Sequence, residues 1–219
     1  MKETIKLLER HVNERQLDRH RGLEVLCDFL IDLFDVRYYL TDDGWPTHIA
    51  TQQKKEPYLF QIAMIWMNKV TEAMEKGEWL DFFGGLYEEM YQTRGKASTL
   101  GQFYTPTHLC DLLTKCVGTG DERRINDPAC GSGRTLLAHF ADSEFNRNGY
   151  YIGEDIDTIS IKMCALNMMI HGMQGRAVRH DTLKSPVHFD YGFEVNEIRY
   201  PIPTCHYSLR RISHSKQGK

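Results

Sequence analysis

The stretch NDPACGSGRTLL, Asn126 to Leu137, constrains the fold of this chain more than any other. A short strand reaching Asp127 breaks into a turn carrying Gly131 and Gly133. Thr135, Leu136, Leu137 and Phe140 then continue at helical spacing. A strand that passes directly into a helix belongs to a β–α–β crossover, and so to a parallel sheet with helices packed on it. The next residues keep the alternation. GYYIGEDID predicts a second strand over 150–154 closing on acids, TISIKMCALNMMIHG a second helix capped by Gly172, and GRAVRHDTL a third strand ending at Asp181.

The first hundred residues are of another kind. Ile5, Leu8 and Val12, then Leu23, Leu26, Leu30, Leu33 and Phe34, recur at helical spacing, so residues 1 to about 35 are expected to be helical. TDDGWPTHIATQQKKEP, Thr41 to Pro57, is polar and turn-rich and reads as a loop. YLFQIAMIWMNKVTEAMEKG is apolar nearly all round its first half, as a buried helix closed by Gly77 would be. WLDFFGGLYEEMYQTRGKAST predicts one more helix, loosened by Gly84 and Gly85 and running out into a polar loop. Nothing in this region names a chemistry. In GQFYTPTHLCDLLTKCVGTG, Thr105 suits an N-cap and Pro106 the first helical position. Leu109, Leu112, Leu113, Cys116 and Val117 form one apolar stripe, ended by Gly118.

In an open parallel sheet a ligand binds beyond the carboxyl ends of the strands. Three such ends carry suitable groups. At the first, Asp127 stands beside the glycine turn, where a helix N-terminus offers unpaired amides. At the second, Asp155 can accept both hydroxyls of a ribose. Its neighbour Glu154 points to the opposite face, and Asp157 suits the N-cap of the next helix. At the third, Asp181 can accept a proton from an exocyclic amine such as adenine's. Ribose, adenine and a charged amino-acid tail together describe S-adenosylmethionine. A nicotinamide dinucleotide is the competitor, but it wants GxGxxG, and Leu136 holds the place of the third glycine.

GQFYTP, DPACGSGRTLL, GEDID followed by ALNMMIHG, and HDTL stand in the order and spacing of the N6-adenine DNA methyltransferases. The chain resembles above all the methylation subunits of type I restriction–modification systems, over roughly Leu80 to Leu183. The resemblance implies that Tyr104, Thr105 and Pro106 flank the methionine end of S-adenosylmethionine and that Asp127, Gly131 and Gly133 surround it. It places Asp155 on the ribose, Ile156 against the adenine face and Asp181 on the adenine amine. The fold it implies is α/β: a partial Rossmann-like sheet of the class I S-adenosylmethionine-dependent methyltransferases, preceded by an all-helical N-terminal region. The expected division is 1–98 helical, 99–198 an incomplete methyltransferase domain, and 199–219 a basic C-terminal tail.

One family feature is missing from its expected place. Family members carry an Asn-Pro-Pro-aromatic motif at the fourth strand end. There an amide oxygen and a backbone carbonyl accept the adenine amino protons, and the aromatic ring stacks on the flipped base. Here Asn196 falls near that place but is followed by Glu197 and Ile198, while YPIP, Tyr200 to Pro203, has no amide before it. Asn196 is therefore a weak catalytic candidate, and the chain reads as truncated before the motif. The expected partners are DNA, and either a specificity or catalytic subunit or a homo-oligomer covering the exposed sheet. A regulatory module without turnover and a methyltransferase for protein glutamine or RNA are the other readings.

Composition adds exclusions. No apolar run is long enough for a bilayer, and the charged opening MKETIKLLERHVNERQLDRH is unlike a signal peptide. The six cysteines show no CxxC pairing, as expected of buried thiols in a reducing cytoplasm. No His/Cys cluster has metal spacing. His108, His139, His171 and His180 read as packing or surface residues, because methyl transfer to an amine needs no strong base. The formal charge of −3 gives no general bias toward nucleic acid.

Overall fold

The computed structural model describes residues 1–40, 44–92, 105–118, 124–184, 189, 191–197 and 203–207. Helices come first: α1 (Lys2–Glu14), α2 (Arg19–Leu33), a 3-10 turn over Val36–Leu40, α3 (Gly44–Lys55), α4 (Pro57–Glu75) and α5 (Phe82–Gln92). The break between α1 and α2 has a local cause. The Asp18 carboxylate caps α2 by accepting from the Arg21 amide at 2.9 Å. Pro57 opens α4, whose buried stripe is Leu59, Ile62, Ala63, Trp66 and Val70, and Gly77 at φ +74° follows its end.

The loop expected over Thr41–Pro57 is instead helix from Gly44 onward; residues 41–43 lie outside the described residues. Its breakers, Gly44 and Pro46, sit in the first turn, where a missing amide costs nothing. No α3 side chain is fully buried, and polar contacts hold the helix to the end of α2. The Trp45 indole donates to the Leu33 carbonyl at 3.2 Å, and Gln52 donates to Asp32 at 3.1 Å. The His48 ring stacks on Tyr38 at 3.6 Å.

The alternating half follows: α6 (Thr107–Val117), β1 (Arg124–Asp127), α7 (Arg134–Asp142), β2 (Tyr150–Asp155), α8 (Thr158–His171), β3 (Gln174–Arg179), β4 (Tyr191–Val195) and β5 (Cys205–Tyr207). The sheet runs in the order β1-β2-β3-β4-β5. The first three strands are parallel, with Asp127 opposite Gly153 and Asp155 opposite Arg179. β4 and β5 are antiparallel additions, so the sheet is mixed and not parallel throughout. β3 stops at Arg179, two residues before the expected Asp181.

α8 is apolar on nearly every side and buried on nearly every side, lying between the sheet and the N-terminal helices. Its one buried cation, Lys162, reaches α2 and pairs with Asp28 at 2.7 Å and Glu24 at 3.1 Å. A single apolar core therefore runs from Leu8 and Trp66 through Phe82 and Phe140 to Phe193. α8 begins at Asp157, whose carboxylate accepts from the Ser160 amide at 2.9 Å. Asp157→Ala is expected to cost about 1 kcal/mol of stability, read as a lower urea midpoint at unchanged slope.

Two smaller expectations are corrected. The α6 stripe faces solvent: Leu112 is 55% and Val117 82% exposed, while Cys110 and Thr114 are buried. Pro106, not Thr105, occupies the N-cap of α6, and the Thr105 carbonyl accepts from Arg134 at 3.2 Å. Cys116 on this stripe is exposed, whereas the other five cysteines are buried.

Candidate functional site: the carboxyl ends of the parallel strands

The site grows out of Asp127. One oxygen of its carboxylate accepts the Ala129 amide at 3.0 Å, and the other accepts the Thr135 hydroxyl across the turn. Between these anchors the backbone reverses through two left-handed residues, Gly131 at φ +53° and Gly133 at φ +89°. Gly133 is required twice over, since a Cβ there would also lie 3.0 Å from the Cys164 sulfur. The turn is tied to β2 as well, because the Cys130 amide donates to the Glu154 carbonyl at 2.9 Å. Contact with Cys164 and burial push the Cys130 thiol well up from its ordinary range, so it is a packing thiol.

Gly131 and Asp155 meet. The Gly131 amide donates to one Asp155 oxygen at 2.9 Å, and the Asp157 amide donates to the other at 2.9 Å. A carboxylate has about four acceptor sites, so among the described residues each Asp155 oxygen has one of its two engaged. Ile156, the next residue, is 71% exposed. Glu154 points to the other face, where Asn126 donates to it at 3.3 Å and His180 meets it at 3.1 Å. The His180 amide donates to the Asp155 carbonyl at 2.9 Å, which brings the segment after β3 alongside. Asp181 lies on that segment, paired with Lys184 at 2.8 Å, and this pairing holds its carboxyl below the usual range. Of the lead-in residues, Tyr104 lies outside the described residues, and Thr105 and Pro106 precede α6.

Asn196 is elsewhere. β4 runs against β3 and pairs Val195 with Gly175, so Asn196 falls at the amino ends of the parallel strands. Its carboxamide donates to the carbonyls of Met169 and Met173 at 3.0 and 2.8 Å and accepts the Thr204 amide at 2.9 Å. Both amide protons and the carbonyl oxygen of that side chain are thus engaged by backbone.

Sequence reasoning missed a buried cluster behind the turn. Asp81, just before α5, accepts from Ser132 Oγ at 2.6 Å, Arg134 Nε at 2.6 Å, Asn167 Nδ2 at 2.7 Å and the Gly84 amide at 2.8 Å. Arg134 also forks onto Glu88 at 3.0 and 2.7 Å. Burial opposes the charge on Arg134, but Glu88 and Asp81 outweigh it and raise the pKa of the guanidinium. Behind them His171 bonds the Asn167 carbonyl at 2.7 Å and accepts the Leu80 amide at 3.3 Å; burial pulls its pKa down to about 4. Gly84 of LDFFGG was the available sign, because a glycine kept inside a helix despite its cost points to a packing reason. Among the described residues no cluster of three or more His, Cys, Asp or Glu could hold a metal, and no helix is long and apolar enough to cross a membrane.

The sequence pattern of the N-6 DNA Methylase family matches residues 79–201, more than half of the chain. The chain belongs to this family. The match begins at Trp79, within the helical lead-in, and runs through the glycine turn and the three parallel strands. Relatives include the type I restriction enzyme MjaVIII methylase subunit of Methanocaldococcus jannaschii, 32% identical over 95 residues, which are 42% of this chain and 16% of that protein. Another is the type I restriction enzyme EcoEI methylase subunit of Escherichia coli, 27% identical over 136 residues, 55% of this chain and 27% of that protein. This family member thus spans less than a third of the length of the curated relatives it matches. A solved neighbour is the type I restriction-modification methyltransferase subunit of Streptococcus thermophilus, with TM-score 0.40 and 22% identity over 84% of this chain and 40% of that one.

Proposed function

We propose that the carboxyl ends of β1, β2 and β3 bind S-adenosylmethionine, and that the chain serves the N6 methylation of adenine in DNA as part of a type I-like restriction–modification methylase. The observation that carries this reading is the contact between the Gly131 amide and Asp155 across adjacent strand ends. The residues fit the group. Gly131 and Gly133 give the methionine end a backbone without side chains, next to the N-terminus of α7. Asp155 can accept from the ribose hydroxyls, exposed Ile156 offers an apolar surface for the adenine, and Asp181 can accept its amine. Thr105, Pro106 and Tyr104 are assigned to the methionine side, with Asp127 holding the turn beneath it. Bound there, the cofactor would supply an electrophilic methyl group. The partners proposed with it are DNA and a specificity or catalytic subunit, in the cytoplasm.

Isothermal titration of the full chain with S-adenosylhomocysteine should give a saturable heat. Asp155→Ala should weaken binding about 10- to 100-fold, as loss of charged hydrogen bonds would. Equal affinity of the two proteins would remove Asp155 from the site. A second reading is favoured by one observation: the Asn196 amide is consumed by backbone at the far end of the sheet. On that reading the chain holds the cofactor, and another polypeptide segment brings the group that activates the adenine amine. Tritiated cofactor incubated with DNA free of N6-methyladenine separates the two. Label in the DNA with this chain alone overturns the second reading.

A further inference from the structure

A glycine-rich turn does not hold its own shape. Gly131 and Gly133 each lose more backbone freedom on ordering than any other residue type would. Asp127 fixes the flanks of the turn, and Ser132, between the two glycines and completely buried, anchors its middle. Its hydroxyl donates to Asp81, and its carbonyl accepts from Asn167, which donates its amide to Asp81 as well. Arg134, the first residue of α7, is fixed by the same Asp81 carboxylate. The α5 backbone comes close enough for this only because residue 84 has no side chain. A Cβ on Gly84 would sit 1.9 Å from Asp81 Oδ2 and 2.6 Å from Ser132 Oγ. Asp81 therefore binds the start of α5, the middle of the turn, the start of α7 and α8 through one saturated carboxylate.

We infer that Asp81 is the positioning residue of the cofactor turn. The start of α5 sets the conformation in which Gly131 and Gly133 receive the ligand, and the ligand in return holds α5 in place. The inference rests on the reading of that turn as the S-adenosylmethionine site. It places the binding machinery astride the helical region and the sheet, 50 residues apart in sequence between Asp81 and Gly131. Preorganisation of this kind shows in affinity, since a loose turn must be ordered when the ligand arrives. Linkage then requires the effect to run both ways.

The test uses the full chain, S-adenosylhomocysteine as probe, titration calorimetry, and amide exchange followed by mass spectrometry. Asp81→Asn and Ser132→Ala should each weaken binding about tenfold and speed exchange across residues 129–134 in the free protein. In the unaltered protein the probe should slow exchange across residues 82–92, and Ser132→Ala should abolish that slowing. Val70→Ala, which removes buried methyls from α4, should lower stability while keeping the dissociation constant within about twofold. If Asp81→Asn does not fold, Ser132→Ala decides alone. A folded Ser132→Ala protein with unchanged affinity and unchanged exchange over 129–134 overturns the inference. If the unaltered protein takes no probe but Ser132→Ala still loosens the turn, the cofactor reading falls and the positioning by Asp81 stands.

Discussion

Arg134→Met is expected to lower the free energy of unfolding by about 3–5 kcal/mol, the cost of stripping a buried carboxylate of its cation. Methionine keeps much of the arginine stem, so little of the loss comes from packing. What remains is Asp81, 1% exposed at its side chain, still accepting from Ser132, Asn167 and Gly84 but with no positive charge in contact. Glu88 matters less, because its side chain is 25% exposed and water can replace the guanidinium. Urea unfolding at constant slope measures the effect. The companion protein is Asp81→Asn with Arg134→Met, which removes both charges while the carboxamide oxygen still accepts from Gly84 and Asn167, and it should recover part of the loss. A single-variant change below about 0.5 kcal/mol would mean that the pair is solvated and the cluster is not a buried one.

That pair also shows where the sequence was and was not legible. The turn, the acids at the second strand end and the Asp157 cap are local features, written within a few residues of one another, and the structure places each where the pattern does. Asp155 meets Gly131 because parallel neighbours bring their carboxyl ends together, which follows from the β–α–β alternation alone. Asp81 meets Ser132 across 51 residues, through packing of α5 on the turn that no periodicity encodes. The α6 stripe misled for the same reason. Periodicity says which residues share a face, but not whether that face meets the core, and here Cys110 and Thr114 turn inward instead. α3 misled through composition: Gly44 and Pro46 look like loop residues but occupy a first helical turn, where they do no harm. The resemblance puts Asn196 near the fourth strand end, yet β4 runs antiparallel to β3, and with it Asn196 moves to the opposite end of the sheet.

The protein should also lose about 3 kcal/mol of stability between pH 6.5 and pH 4 through His171 alone. The imidazole is completely buried on α8, where Nδ1–H donates to the Asn167 carbonyl and Nε2 accepts from the Leu80 amide. Both contacts are those of one neutral tautomer, and a second proton on Nε2 would face the Leu80 N–H donor. Burial lowers its pKa from 6.5 to about 4, more than the Asn167 carbonyl and the Asp81 charge raise it. The sign follows. Above pH 6.5 folded and unfolded forms are both neutral and the full stability is present. Below it the unfolded chain binds a proton that the folded chain refuses, so stability falls by about 1.4 kcal/mol per pH unit until the folded form titrates near pH 4. His11, also lowered by burial, adds slope of the same sign, whereas Glu24, held below its ordinary 4.5, loses its contribution only at lower pH. His171→Gln isolates the effect, since a carboxamide can donate to Asn167 and accept from Leu80 without titrating. Urea midpoints at pH 7.5, 6, 5 and 4.5 should converge for the two proteins as pH falls. Parallel curves would show that His171 takes up its proton in the folded state as readily as in the unfolded one.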